Sequence, residues 1–180
     1  MKRIMIILVF LMAAVGCSNG NGDSKDDMCI TKTDTKAKVC YGMAKADVEK
    51  VLGKGKPGVG TIDYVNGAGI FYRNDKVAYI RLSDESINVF SAASGIKVGD
   101  TKKDVLKQYG EKNAITNQQP EFIVVDYVYD SKEKKFVNAE EYENIKDDSL
   151  KEHYVVSIKF EDDVVEQLFI GDLQAMTRLQ

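Results

Sequence analysis

Few residues in this chain are of the types that acid–base or nucleophilic chemistry needs. His153 is the only histidine among 180 residues, so a serine or cysteine hydrolase would have to use it as the general base. It begins the segment HYVVSIKF, whose alternation predicts a strand with Tyr154, Val156 and Phe160 on one apolar face. His153 then lies on the opposite, wetter face, and no G-x-S-x-G motif accompanies it. The sequence therefore predicts no catalytic residues and no enzyme.

Metal and phosphate sites are not predicted either. The acidic pairs, such as Asp162-Asp163, lack the alternating oxygens and the central glycine of a calcium loop. The segment GKGKPG at 53–58 has the spacing of a dinucleotide-binding loop, but it follows a helix pattern instead of joining a strand to a helix. We therefore expect no metal and no cofactor.

Two of the three cysteines are spaced to form a disulfide bond. Cys29 and Cys40 flank ITKTDTKAKV, where a tight turn at Asp34-Thr35 would set them opposite each other in a hairpin. With a two-residue turn they would occupy a hydrogen-bonded position, which suits a disulfide less well. The bond would stabilise the fold by roughly 3 kcal/mol through the unfolded chain. The alternatives are two free thiols or, without a C-x-x-C motif, an atypical redox or metal pair.

The first residues have the pattern of an export signal. Met1-Lys2-Arg3 is basic, and residues 4–15 are an unbroken apolar run. As a helix this run would span about 18 Å, well short of the ~30 Å hydrocarbon core of a membrane, so a signal peptide is favoured over a transmembrane helix. Residues 18–27 contain no apolar side chain, which predicts a flexible tether.

Two segments 57 residues apart share a helical pattern. GMAKADVEKVLG at 42–53 and GDTKKDVLKQYG at 99–110 have glycine at both ends and the same Lys, Asp and Val positions between them. Asp47 and Asp104 stand near the helix start, where a carboxylate complements the helix dipole, and the Thr101 hydroxyl can cap the second helix. Since glycine readily ends a helix, we predict a short amphipathic helix in each segment.

Two further segments predict hairpins. IFYRNDKVAYI at 70–80 and IKFEDDVVEQL at 158–168 each have a strand, an Asp-bearing turn and a strand. Their offset is 88 residues, so the second copy contains 31 more residues (88 − 57) between helix and hairpin, within about 111–154. That interval includes the alternating segment FIVVDYVYD at 122–130 and a charged stretch at 132–152, within which residues 138–148 predict a short surface helix or an acidic loop. Residues from Leu173 onward are expected to fray.

These patterns predict an α+β domain of two tandem helix-plus-antiparallel-hairpin repeats. The first repeat covers residues 28–90, and the second covers 91–175 with an insertion at about 111–154. Neither repeat has much core of its own, so together they are expected to form one sheet with the helices packed on one face.

The repeated block Gly-x-x-Lys-x-Asp-Val … Gly, followed by a hairpin, resembles two groups of bacterial proteins. One is the β-lactamase inhibitor protein (BLIP)-like type and the other is the SmpA/OmlA-like type of small outer-membrane lipoprotein. Ala14-Val15-Gly16-Cys17 resembles the lipobox, in which the cysteine becomes the first mature residue and carries acyl chains such as palmitate. The resemblance implies a BLIP-like fold, a signal peptide at 1–16, and a tether at 17–27 from lipidated Cys17. It also implies an extracytoplasmic location, anchored by lipid to the cell membrane or the outer membrane.

Tyrosine is the residue type that most suggests a binding surface, because its large ring and polar tip are favoured at interfaces. The chain has nine tyrosines, and packing within the sheet is the alternative role for them. The tyrosines assigned to a partner-binding face are Tyr64, Tyr72, Tyr79, Tyr127 and Tyr129.

The composition and charge exclude nucleic acid as the ligand. The net charge is −3 and no basic run is present after the first residues, whereas a nucleic-acid binder needs a basic face. We expect a cell-envelope lipoprotein that acts as a non-catalytic protein-binding or assembly module, with an unidentified protein partner. The alternatives are an inhibitor of a secreted or periplasmic hydrolase and, with less support, a hydrolase that uses His153.

Overall fold

Antiparallel strands rich in valine, isoleucine and tyrosine make up most of the protein. The structure is a computed structural model that describes residues 28–177, so the predicted signal peptide, Cys17 and the tether lie outside the described residues. In chain order the elements are β1 (Cys29–Lys32), β2 (Lys38–Cys40), α1 (Lys45–Leu52), β3 (Lys56–Pro57), β4 (Ile62–Tyr64), β5 (Ala68–Arg73), β6 (Lys76–Leu82), β7 (Phe90–Ala92), α2 (Lys102–Tyr109), β8 (Ile115–Gln118), β9 (Ile123–Asp130), β10 (Lys135–Phe136), α3 (Ala139–Glu143), β11 (His153–Glu161), β12 (Val164–Asp172) and α4 (Leu173–Met176).

The strands form two sheets. The large sheet has nine strands in the order β10-β9-β11-β12-β6-β5-β4-β3, with β8 also paired to β9, and the small sheet has the order β2-β1-β7. The predicted α+β class, with mainly antiparallel strands and few helices, is confirmed. The prediction of a single sheet is wrong, because β1 pairs on one side with β2 and on the other with β7.

The predicted disulfide joins β1 to β2. Cys29 and Cys40 are bonded, their Cα atoms are 4.0 Å apart, and both lie directly opposite in the register. The pair is not at a hydrogen-bonded position, which corrects the expectation from a two-residue turn. Lys36 adopts φ 60° and its amide donates to the carbonyl of Lys32, so a longer turn shifts the hydrogen-bonding phase by one residue. Closely spaced, non-hydrogen-bonded pairs are the better setting for a cross-strand bond.

The hairpins β5–β6 and β11–β12 have the same geometry. Each is closed by two residues of positive φ, Asn74 and Asp75 at 51° and 57° and Asp162 and Asp163 at 51° and 59°, which is the turn that matches strand twist. The pairing register of each hairpin also shifts at an equivalent place. The shift follows Phe71 in β5 and Lys159 in β11, two residues that are 88 positions apart.

The start of each helix is fixed to its hairpin by the same backbone hydrogen bonds. Gly42 N donates to Val77 O at 2.7 Å, and Gly99 N donates to Val165 O at 2.9 Å. Lys45 N and Lys102 N then each donate to the second turn residue of the hairpin, both at 2.9 Å. The helices end at glycines with φ near 80°, as predicted.

The two hairpins meet along β6 and β12 in a symmetrical manner. Leu168 lies opposite Leu82, and Ile170 lies opposite Ile80. Since residues 168 and 170 are 88 positions after 80 and 82, the junction looks the same from either hairpin. Gly171 permits close approach here, because a Cβ atom on it would be 2.7 Å from the carbonyl oxygen of Ala78.

The large sheet has a different cover on each face. We call the side packed against α1 and α2 the first face and the other side the second face. Since side chains alternate along strands, the two faces have separate cores. The first-face core includes Val48, Ile70, Ile80, Leu82, Val105, Tyr127, Ile158, Leu168 and Ile170. The second-face core includes Ala78, Tyr79, Val128, Val137, Val155, Leu173 and Met176.

Two expectations about these covers are wrong. The helices do not all pack on one face, because α4 belongs to the core of the second face. Residues from Leu173 onward do not fray at once: Leu173, Ala175 and Met176 are buried, and the Asp172 carboxylate caps α4 by accepting a hydrogen bond from Ala175 N at 2.8 Å. The predicted short helix in the charged stretch is present as α3, capped by Asn138.

A buried ion pair joins the end of β12 to the first hairpin. The Asp172 side chain is 0% exposed and accepts two hydrogen bonds from the Arg73 guanidinium, both 2.8 Å long. The Tyr41 hydroxyl donates to the same carboxylate at 2.7 Å. These contacts with Asp172 raise the pKa of Arg73 above its ordinary value, so the guanidinium remains charged. Together with the hydrogen bond from Ala175 N, these contacts give each oxygen of the carboxylate two donors.

We expect Asp172→Ala to lower the free energy of unfolding by about 3–5 kcal/mol, because it leaves a half-buried guanidinium and a helix amide without their acceptor. Urea denaturation of the mature protein, followed by far-ultraviolet circular dichroism, measures this. Asp47→Ala is the matched control, since it removes an exposed pair with Lys50 and should change little. Equal losses in the two variants would contradict the role of Asp172.

Candidate functional site

The second face contains a groove of about 480 Å³ beside its own core. Strands β8, β9, β11, β12 and β6 form the floor, Phe122 contributes one wall, and Tyr142 and Met176 contribute another. Most of the lining is apolar or aromatic, with a few polar groups directed inward, which is the usual character of a ligand site. We call this feature the second-face groove.

Aromatic rings dominate one end of the second-face groove. Tyr79, which is 5% exposed, stacks on Phe169 with ring centroids 5.8 Å apart. Burial raises the pKa of Tyr79 well above its usual range, so its hydroxyl is neutral at any physiological pH. Burial likewise raises the pKa of Tyr142, with a further contribution from the charge of Asp126.

Asp126 is the exceptional residue of this groove. Its Oδ1 atom is buried and has no hydrogen-bond partner. Burial raises the pKa of this carboxyl group above its ordinary value, and a hydrogen bond with Ser157 only partly opposes the shift. An unsatisfied buried carboxylate oxygen costs folding free energy, and a group that donates a hydrogen bond to this carboxylate would recover part of that cost.

The same sheet contains a second aspartate that has a cation and a hydroxyl group as partners. One lateral row of the second face runs across the sheet through residues directly opposite one another: Ile115, Asp126, Ser157, Phe169, Arg81, Gly69, Asp63 and Lys56. The symmetrical junction lies between Phe169 and Arg81. Asp126 and Asp63 therefore occupy matching positions in the two halves of the row.

Asp63 is neutralised by a cation from its own half. Arg81 Nη2 lies 3.4 Å from Asp63 Oδ1, and the Thr61 hydroxyl donates to that oxygen at 2.7 Å. The pair reaches across Gly69, where a Cβ atom would come within 3.0 Å of the carboxylate and 3.1 Å of the guanidinium. In the other half Ser157 and Phe169 stand at the positions of Gly69 and Arg81, so no arginine reaches Asp126.

The lysine that lines the groove is engaged elsewhere. Lys159 Nζ lies 2.7 Å from a carboxylate oxygen of Glu166 and 4.6 Å from the centre of the Phe122 ring. Its charge is therefore directed to the rim, away from the floor at Asp126.

Other depressions have less of the character of a site. One of about 590 Å³ beside α2 is lined mainly by exposed charged side chains, including Lys103 and Lys107. A smaller one, about 310 Å³, lies between β10, α3 and His153.

His153 does not lie on a wet face, which corrects the sequence-based expectation. It begins β11 as predicted, but it is 8% exposed because the segment 137–152 folds over this edge. Its Nδ1 atom is 2.9 Å from Ser149 O, and its Nε2 atom is 3.5 Å from Asp130 Oδ2. The Ser149 hydroxyl donates to Lys146 O instead, so this arrangement is a structural link and contains no activated serine.

The five tyrosines assigned to a binding face do not share one surface. Among the five, only Tyr79 has its side chain on the second face. The other four have theirs on the first face: Tyr64, Tyr72, Tyr127 and Tyr129. The Tyr64 and Tyr72 hydroxyls are 2.6 Å apart. Tyr127 stacks on Tyr109 at 4.8 Å, and burial raises its pKa to about 12. Partner binding by any of the five stays a prediction.

Asp126 was missed by sequence reasoning, although the sequence contains a signal for it. Ile62-Asp63-Tyr64-Val65 and Val125-Asp126-Tyr127-Val128 match at an offset of 63 residues. That offset lies between the 57 of the helices and the 88 of the hairpins, so a search at those two offsets passes over it.

No family model, no curated protein and no solved structure matches this chain. Within residues 28–177 there is no group of three or more His, Cys, Asp or Glu side chains suited to a metal ion. None of the helices in that part of the chain is long and apolar enough to cross a membrane.

We expect Asp126→Asn to raise the free energy of unfolding at neutral pH by about 1 kcal/mol, because it removes a buried, incompletely bonded charge. A carboxyl group with a raised folded-state pKa stabilises the protein at low pH and loses that contribution as pH rises through the folded value. The gain in the variant should therefore grow as pH rises above 3.8, the ordinary pKa of this group. Urea denaturation across pH measures it.

Asp63→Asn is the matched control for Asp126→Asn. It loosens an ion pair that is about two-fifths exposed, so we expect no gain in stability at any pH. If Asp126→Asn is destabilising at neutral pH, Asp126 has a structural partner and the interpretation of an unsatisfied oxygen is wrong.

Proposed function

We propose that this protein is a lipid-anchored, non-catalytic binding protein of the bacterial cell envelope and that the second-face groove binds its protein partner. The observation that carries the proposal is Asp126, which lines an aromatic-lined groove and whose buried Oδ1 atom has no hydrogen-bond partner. Partner recognition explains why such an oxygen is kept at a cost to stability. It also explains why aromatic rings line a concave surface without a nucleophile–base pair beside them.

The second element of the proposal is duplication. The matched turns, register shifts and helix-docking bonds of the two halves support two tandem copies of one unit, of the BLIP-like and SmpA/OmlA-like kind. In sheet order β3-β4-β5-β6 would correspond to β8-β9-β11-β12. The insertion with β10 and α3 would then fall between the second and third strands of the second copy, where it builds the Tyr142 wall of the groove. The Tyr142 wall would then belong to the second copy alone.

The third element is the anchor at Cys17. We expect the N-terminal peptide of the protein from its native cell to begin at Cys17 and to carry acyl chains, because the lipobox-like segment precedes that residue. Mass spectrometry of this peptide measures it. The variant Cys29→Ser/Cys40→Ser should keep the lipid, whereas Cys17→Ser should lose it. An unacylated N-terminus in the unmutated protein would contradict the anchor.

Photo-crosslinking in living cells tests the groove. We expect a benzoylphenylalanine at position 122, on the groove wall, to form discrete adducts with a partner protein. The same group at position 59, which is 96% exposed and far along the sheet, serves as control. The adducts from position 122 should disappear in the Asp126→Lys background, since a lysine fills the groove and reverses its charge. Adducts that are absent at 122, or identical at 122 and 59, would contradict a binding role for the groove.

A further inference from the structure

We propose that the second-face groove receives a lysine or arginine side chain from its protein partner and binds the cationic group at Asp126. This inference rests on the proposed binding function and names the chemistry of the ligand. The partner's cation would supply the charge that Arg81 supplies to Asp63 in the other half of the row.

The row across the second face shows what Asp126 lacks. At the matching position Asp63 has a guanidinium 3.4 Å away and a hydroxyl donor at 2.7 Å. Asp126 lies between Ile115 and Ser157 in the row, only Ser157 of these two hydrogen-bonds to it, and Phe169 stands where the arginine would be. The groove therefore contains an aspartate without the cation that its counterpart in the other half has.

The ligand's cation must be one that donates hydrogen bonds. Asp126 lines the groove and one oxygen of its carboxylate has no donor, so an ammonium or guanidinium N–H can hydrogen-bond to the carboxylate, whereas a fully methylated ammonium cannot. The stacked rings of Tyr79 and Phe169 offer apolar surface to the methylene stem, and their faces attract a cation. Lys159 cannot take this role from within, because Glu166 and the Phe122 ring hold its ammonium group.

The adjoining edge strand favours a polypeptide as the bearer of that side chain. Among the described residues β8 pairs only with β9, so its outer backbone groups have no strand beside them. An extended segment lying along β8 would pair with these groups and reach the groove with alternate side chains. A small free amine would leave the edge to water and use only the floor.

Calorimetric titration with two peptides tests the inference. The probes are Ac-Thr-Val-Lys-Val-Thr-NH2 and the same peptide with Nε-acetyl-lysine, and the protein is the full mature chain in phospholipid nanodiscs. We expect the lysine peptide to bind about tenfold more tightly or better, the usual effect of a charge-assisted hydrogen bond. Asp126→Asn should abolish this preference and leave the binding of the acetylated peptide unchanged, whereas Asp63→Asn should alter neither.

A second variant supplies the missing cation from the chain itself. Ser157→Gly/Phe169→Arg copies the Gly69 and Arg81 arrangement, so the new arginine should pair with Asp126 and close the site. We expect this variant to lose the lysine preference while its circular dichroism remains that of the parent protein. A double variant that folds and keeps the preference would overturn the inference.

The outcomes separate the ligand chemistry from the binding function. Equal binding of both peptides, unaffected by Asp126→Asn, overturns the cation inference but leaves the groove as a binding site. Binding of neither peptide, with the crosslinks from position 122 still present, overturns this ligand class alone. Binding of neither peptide without those crosslinks overturns the proposed function as well.

Discussion

The Asp172 carboxylate is the point on which the arrangement of the large sheet and the groove depends. It ends β12, binds the guanidinium of Arg73 at the end of β5, accepts from Tyr41 beside the disulfide hairpin, and caps α4. A buried charge is tolerated only when its acceptor directions are filled, and here four donors from three parts of the chain fill them. Because α4 contributes Met176 to the groove wall, the shape of the candidate site follows from this ion pair.

The two aspartates of the second-face row illustrate how matching backbone positions can differ in chemistry. Asp63 and Asp126 stand at equivalent places in the strand register, yet one is satisfied within the chain and the other is not. The difference arises from two neighbours: a glycine and an arginine in one half, a serine and a phenylalanine in the other. Backbone hydrogen bonds hold both positions in place whatever the side chains are, so such changes leave the sheet intact and alter only what it can bind.

Local signals predicted the parts of the fold that local interactions stabilise. The helices at 45–52 and 102–109 end at the glycines seen in the sequence, and both Asp-bearing turns close hairpins. Periodicity does not report contacts between distant segments of the chain. Such contacts determine the separate small sheet, the role of Asp172 and the folding of 137–152 over His153. The groove was missed for the same reason. Asp126 has an ordinary strand pattern around it, and its isolation is visible only once Phe169 and Ser157 are known to be its neighbours.

The Cys29–Cys40 bond also determines how the domain responds to tension on the chain ahead of it. A pull at Met28 would peel β1 away from β2 and β7 one pair of residues at a time, which is the weakest way to load a sheet. The covalent link at the first pair stops the peeling before it begins and transfers the load to β2. From there it passes directly to Tyr41, whose hydroxyl is bonded to Asp172. Mechanical load would thus enter the domain at its most strongly connected carboxylate, and reduction of the disulfide would remove that protection.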